Sequence, residues 1–232
     1  MKKLLCSLII LALSMSLQAT ESVVFVHGFM RSSRSMALLA KSFKKEGWHT
    51  LNWSYPSRKK RIEAHAEDLV QKLIQLADEK PDTPISFVTH SMGGLITRAA
   101  LNHPDCPEVA KHGRAVLLAP PNRGAIFGRR LHRYSLVRKL LGNHSGEELL
   151  TTPMDGFDRL GNFPEGLDVL IISGTSGANP LIPESNDWVV EYRESCLPTS
   201  HFHEKCRSWH SFITFSPEVI RRTKRFLSQK LS

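Results

Sequence analysis

The chain has 232 residues, with 31 Lys and Arg against 22 Asp and Glu, for a net charge of +9. That length holds one domain with a sizeable core, and no composition shift, internal repeat or low-complexity stretch marks a second. No nucleic-acid-binding module accompanies the basic balance, so its expected acidic partner is an anionic lipid or envelope polymer; the alternative is a basic surface that is merely solvated.

Met1-Lys2-Lys3, an apolar run from Leu4 to Leu17 and then Gln18-Ala19-Thr20 read as a secretory signal peptide over residues 1–19. The apolar run is shorter than the ~17–25 residues that span a bilayer, so an uncleaved anchor is the weaker reading. Cleavage leaves residues 20–232 as the mature domain, lowers the net charge to +7 by removing Lys2 and Lys3, and implies a periplasmic or secreted protein.

Ser22 to Val26 is a short apolar run and predicts a first strand, ending in His27-Gly28-Phe29. Ser32 or Ser33 is placed to cap a helix through Met36, Leu39 and Phe43 that stops at Gly47. Trp48 to Trp53 predicts a second strand. A long amphipathic helix follows, carrying Ile62, Leu69, Leu73 and Leu76 and ending before Pro81. Ile85 to Val88 predicts a third strand, and Leu95, Ile96, Ala99, Ala100 and Leu101 fall at helical spacing after it. Further strands are expected at Ala115 to Leu118 and Leu167 to Ser173, and a closing helix from Pro217. Strands alternating with helices, each strand almost wholly apolar, argue for a parallel sheet covered on both faces.

Between the third strand and its helix stands Thr89-His90-Ser91-Met92-Gly93. A serine at a sharp strand-to-helix turn has its hydroxyl clear of the sheet, and the helix N-terminus favours negative charge beside it. Here the chain resembles the α/β-hydrolase superfamily, and within it the small bacterial lipases and esterases. Thr89 replaces the first glycine of the usual Gly-x-Ser-x-Gly, and a β-branched residue there is expected to crowd the turn. The resemblance implies an α/β-hydrolase fold with Ser91 as nucleophile, and backbone N–H groups of Phe29 and Met92 as the oxyanion hole. It implies no cofactor and no metal.

The superfamily's chain order is serine, acid, histidine, and Ser91, Asp187 and His210 satisfy it. Asp187 follows a strand and so falls at the sheet edge where ligands bind; Glu184 is the alternative acid. His210 precedes the final helix; His203 is the alternative base. His201 and His203 also raise a metal reading, set aside for want of further ligands at suitable spacing.

Residues 125–166 interrupt the alternation and are expected to form a cap. Arg129, Arg130, Arg133, Arg138 and Lys139 lie among large apolar residues there, which suggests contact with an anionic membrane surface; the alternative is a solvated helix. Of the three cysteines left after export, Cys196 and Cys206 are the expected bridge and Cys106 the free thiol. The function expected is hydrolysis of a small-molecule or lipid carboxylic ester. A thioesterase or amidase would use the same residues, and the alternative of another class is a silent hydrolase fold that binds an envelope partner.

Overall fold

The computed structural model describes residues 21–229. The expected signal peptide, residues 1–19, lies outside them. Among the described residues, no helix is long and apolar enough to cross a membrane.

Six strands form one sheet in the order β2-β1-β3-β4-β5-β6: β1 Ser22–Val26, β2 His49–Trp53, β3 Ile85–His90, β4 Arg114–Leu118, β5 Asp168–Gly174 and β6 Phe202–Cys206. Every neighbouring pair is parallel. The chain therefore has to cross a face of the sheet between strands, and helices make most of those crossings. They are α1 Ala37–Lys44, α2 Ile62–Glu79 and α3 Met92–Leu101, while α7 Pro217–Leu227 follows the last strand, β6. Between β4 and β5 lie three short helices, α4 Ile126–Leu131, α5 Ser135–Leu141 and α6 Ser145–Thr151.

Burial on both faces explains why the inner strands are apolar at consecutive positions. Val24, Val26, Phe87, Ala115, Leu117, Val169 and Ile171 face the core under α2 and α3. Their neighbours Val23, Phe25, Val88, Val116, Leu118, Leu170 and Ile172 face the core under α1 and α7. Gly47, with φ of +88°, ends the turn after α1 in a conformation that glycine adopts without strain. Ser216 caps α7 through a bond from the Val219 N–H (3.4 Å).

One strand departs from expectation. β6 lies in what reads as a polar loop, because it is an edge strand in which Cys206 is the one buried position. Edge strands carry polar and charged residues on their open side, so the apolar signal is lost. The strand also overturns the expected Cys196–Cys206 bridge: Cys106, Cys196 and Cys206 are all free. Side chains alternate along a strand. Cys206 points into the core under α7, whereas the Cys196 thiol meets His203 on the opposite face, with Sγ 3.6 Å from Nδ1.

Candidate active site

The sheet order reverses at β1, since β2 lies on one side of it and β3 on the other. A crevice opens at such a point beyond the carboxyl ends of the strands. His27-Gly28-Phe29 leaves β1 into that crevice and Ser91 leaves β3 into it. Ser91 has φ 51° and ψ −124°, a strained conformation for a residue with a side chain. Close packing holds it there. A Cβ on Gly93 would come 2.4 Å from the Val26 carbonyl oxygen, and one on Gly28 would come 3.1 Å from the Ser91 Cβ. The turn is pinned further by Ser91 N–H donating to the Leu118 carbonyl (2.9 Å).

Thr89 is accommodated by a second glycine. Its buried Oγ1 would stand 3.3 Å from a Cβ on Gly94, which has none. The crowding expected of a β-branched residue is absorbed on the helix side of the turn, leaving the Thr89 hydroxyl without a hydrogen-bond partner.

His210 comes to Ser91 from the loop between β6 and α7. Its Nε2 is 3.0 Å from Ser91 Oγ, and its Nδ1 is 2.7 Å from Oδ2 of Asp187. Asp187 is buried, and its other oxygen accepts from the N–H groups of Val189 (3.0 Å) and Val190 (2.8 Å). The main chain adds a bond from His210 N–H to the Asp187 carbonyl (2.9 Å). Next to each, Trp188 and Trp209 stack at 6.1 Å and tie the two loops together. The three residues thus lie in one hydrogen-bonded line. Glu184, the alternative acid, is paired instead with Arg193 at 3.6 Å. His203, the alternative base, is engaged with Ser173 Oγ at 2.8 Å.

His90, the residue before Ser91 at the end of β3, supports the base. Its Nε2 is 3.0 Å from the His210 carbonyl oxygen. Burial, and secondarily the adjacent His210, holds its pKa well below the usual histidine value, so it stays neutral and donates that bond. His27 is likewise kept neutral by burial, stacked on Tyr55 at 4.1 Å, while the Tyr55 hydroxyl donates to the His27 carbonyl (2.6 Å). These contacts fix the backbone leading into Phe29. Met92 opens α3, where helix N–H groups have no acceptor within the helix.

A cavity of about 510 Å³ opens over Ser91 and His210. Phe29, Phe127, Leu131, Leu141, Leu149 and Leu150 line it, so α4 to α6 roof the site with apolar side chains. Two buried acids anchor that roof. Glu148 on α6 accepts from the Ile62 N–H of α2 (2.8 Å) and pairs with Arg159 (2.8 Å). Glu194 accepts from the Ile126 and Glu191 N–H groups. Burial raises the pKa of both above the usual carboxylate range.

The same fold recurs in known structures. The chain superposes on a lipase of Bacillus licheniformis in its mature form with a TM-score of 0.72, at 20% identity, over 91% of this chain and 94% of that one. A metagenomic carboxyl esterase matches with a TM-score of 0.68 at 17% identity, over 84% and 66% of the two chains. A soluble variant of the Saccharomyces cerevisiae monoglyceride lipase matches at 0.58 and 15% identity, over 92% and 88%. This protein has the α/β-hydrolase fold. In sequence, the family described as "Putative serine esterase (DUF676)" matches residues 17–119 of this chain, a span that includes His27-Gly28 and Ser91 but ends before Asp187 and His210. No curated protein matches the chain.

Away from this cavity, the fold also gathers residues that the sequence left apart. Cys196, His201 and His203 bring one ligand atom each to within 4.8 Å of one another. A lone His-x-His gave no third ligand at suitable spacing, because Cys196 reaches the pair only once the 3-10 turn Tyr192–Ser195 folds it back onto β6.

Proposed function

We propose that this protein hydrolyses carboxylic esters through an acyl-serine intermediate. The observation that carries this reading is His210 bonded on one side to Ser91 and on the other to a buried Asp187. A serine hydroxyl needs a base to take its proton, and the base needs a partner to fix its tautomer. His210 Nε2 takes the Ser91 proton as Oγ attacks the carbonyl carbon. The Phe29 and Met92 N–H groups then hold the oxyanion, a donor of this kind being worth roughly 3 kcal/mol. The same proton passes to the leaving alkoxide, and water repeats the cycle in reverse to free the acid. No step calls for a metal or cofactor.

The apolar lining of the cavity supports an acyl or lipid chain as the bound part of the substrate. The lipase and esterase matches and the serine esterase family model point to the same class. A thioester or an amide would engage the same atoms, and the apolar cavity favours neither. The test is turnover of carboxylic esters of graded chain length beside matched thioesters and amides, in wild type and Ser91→Ala. Ester turnover lost in Ser91→Ala supports the reading. A chain silent toward all three classes would favour an envelope-binding role instead.

A lipid surface as partner is favoured by α5, which buries no residue and exposes Leu136 (65%) and Leu140 (55%) beside Lys139. The arginines are less free than their number suggests. Arg130 donates to the Leu181 carbonyl (2.7 Å), and Arg129 donates to Thr152 and faces Glu194. Apolar side chains on α5 would therefore make the contact, and Arg133 and Lys139 would add attraction to anionic headgroups. The reading includes export through residues 1–19, to the periplasm or beyond, and one mature domain over 20–232.

A further inference from the structure

We infer that Cys196, His201 and His203 form a binding site for one Zn2+-type cation, independent of the hydrolase reading. Among the described residues they are the one set of three such donors whose ligand atoms converge, all within 4.8 Å. Tetrahedral zinc with a bond of about 2.3 Å to sulfur and about 2.05 Å to nitrogen sets those two atoms about 3.6 Å apart. Cys196 Sγ and His203 Nδ1 stand 3.6 Å apart.

Both imidazoles are also oriented for the task. A metal-binding histidine characteristically gives its second ring nitrogen to an oxygen, which fixes the tautomer and aims the lone pair. The Nδ1 of His201 is 2.7 Å from the Thr199 carbonyl oxygen, which can only accept, so Nδ1 carries the proton and Nε2 the lone pair. The Nε2 of His203 is 2.8 Å from Ser173 Oγ, leaving Nδ1 toward the thiol, and the Tyr192 ring stacked at 4.1 Å holds the imidazole plane. One thiolate and two neutral imidazoles suit a borderline or soft cation; Mg2+ and Ca2+ require oxygen donors that this set lacks. On binding, the ion replaces the thiol proton, which leaves to solvent, and a fourth position is left for water.

The ion would join the loop that carries Asp187 to the strand that leads to His210 without touching any reacting atom. Its role is to hold those two segments together.

Zn2+ and Co2+ binding to the full chain, after stripping with a chelator, tests this. The expected result is one Zn2+ per chain, no displacement by excess Mg2+ or Ca2+, and a thiolate-to-cobalt charge-transfer band with tetrahedral visible bands. Cys196→Ser should abolish that band. His201→Gln, at a half-buried side chain that donates to the Thr199 carbonyl, should weaken Zn2+ binding by roughly tenfold or more, since losing even a group that only supports a ligand costs that much. Cys106→Ser should change nothing. Zn2+ should raise the melting temperature of wild type and Cys106→Ser but not of Cys196→Ser. Absence of a stoichiometric ion, or a site that survives both Cys196→Ser and His201→Gln, overturns the inference. Should Cys196→Ser fail to fold, His201→Gln decides it alone.

Discussion

Asp187→Asn separates the role of the buried carboxylate from its contribution to the fold. Two N–H groups, from Val189 and Val190, point at Oδ1, so an asparagine placed with its NH2 toward them would set donor against donor. Leaving the buried Val190 donor unmet costs about 1–3 kcal/mol and the partly buried Val189 donor adds to it, which fixes the amide with its oxygen on those groups. The NH2 must then face His210 Nδ1, where the carboxylate now accepts at 2.7 Å. A donor at that position requires an unprotonated Nδ1 and therefore a protonated Nε2. The 3.0 Å contact to Ser91 Oγ would become one in which His210 donates, and the serine would lose its base. In serine-protease triads the wrong tautomer costs on the order of 10⁴ in kcat. Both backbone bonds survive, so the melting temperature should move by only a few degrees. The assay is kcat and KM on a short soluble ester beside thermal unfolding, with Glu184→Gln as the control expected to match wild type. If Asp187→Asn keeps more than roughly a tenth of the wild-type rate, the carboxylate does not set the tautomer and the reasoning fails.

Three further outcomes follow from particular contacts. Thr89→Val removes a buried hydroxyl that has no partner, so it should leave activity within about twofold and stability unchanged or up to about 1 kcal/mol higher; a clear loss by denaturant unfolding would mean the hydroxyl is bonded. Burial keeps His65 neutral down to a pKa of about 4, and His90 and His27 are lowered too. Full stability is therefore present above pH 6.5 and is lost as pH falls toward 4, because the unfolded chain binds protons that the folded one refuses. The loss from His65 is on the order of 2 kcal/mol, and denaturant titrations giving equal stability at about pH 7 and pH 4.5 would contradict it. Leu136→Asp with Leu140→Asp should cut co-sedimentation with anionic phospholipid vesicles by tenfold or more, on a scale of about 1.5–3 kcal/mol per buried leucine, and spare a short soluble ester; unchanged sedimentation would leave α5 as a solvated helix.

What could be read in the sequence was local. β1 and β3 are short apolar runs, with His27-Gly28 directly after the one and Ser91 directly after the other, so Gly28 and Ser91 could be located before any tertiary contact was known. Asp187 and His210 were reached through chain order, and the structure sets His210 Nδ1 2.7 Å from Asp187 Oδ2. What could not be read depends on residues far apart in the chain. The Thr89–Gly94 accommodation shows only when a Cβ is imagined on the glycine. Glu148 and Ile62 are 86 positions apart, and Arg98 is fully buried against Asp158, 60 positions on. Nothing local to a charged residue announces a partner at that distance. β6 carries one buried side chain in five, and missing it hid the alternation that turns Cys206 away from Cys196 and brings His203 to it.

The most direct test of an activated Ser91 is covalent labelling by a fluorophosphonate, read by intact mass and peptide mapping. The nucleophile must be deprotonated by its base to attack phosphorus, so an ordinary surface serine does not react. A single adduct on Ser91 is expected in wild type, none in Ser91→Ala, and a much slower one in His210→Ala. A folded wild-type chain that stays unlabelled, or one labelled at a residue other than Ser91, would contradict the account.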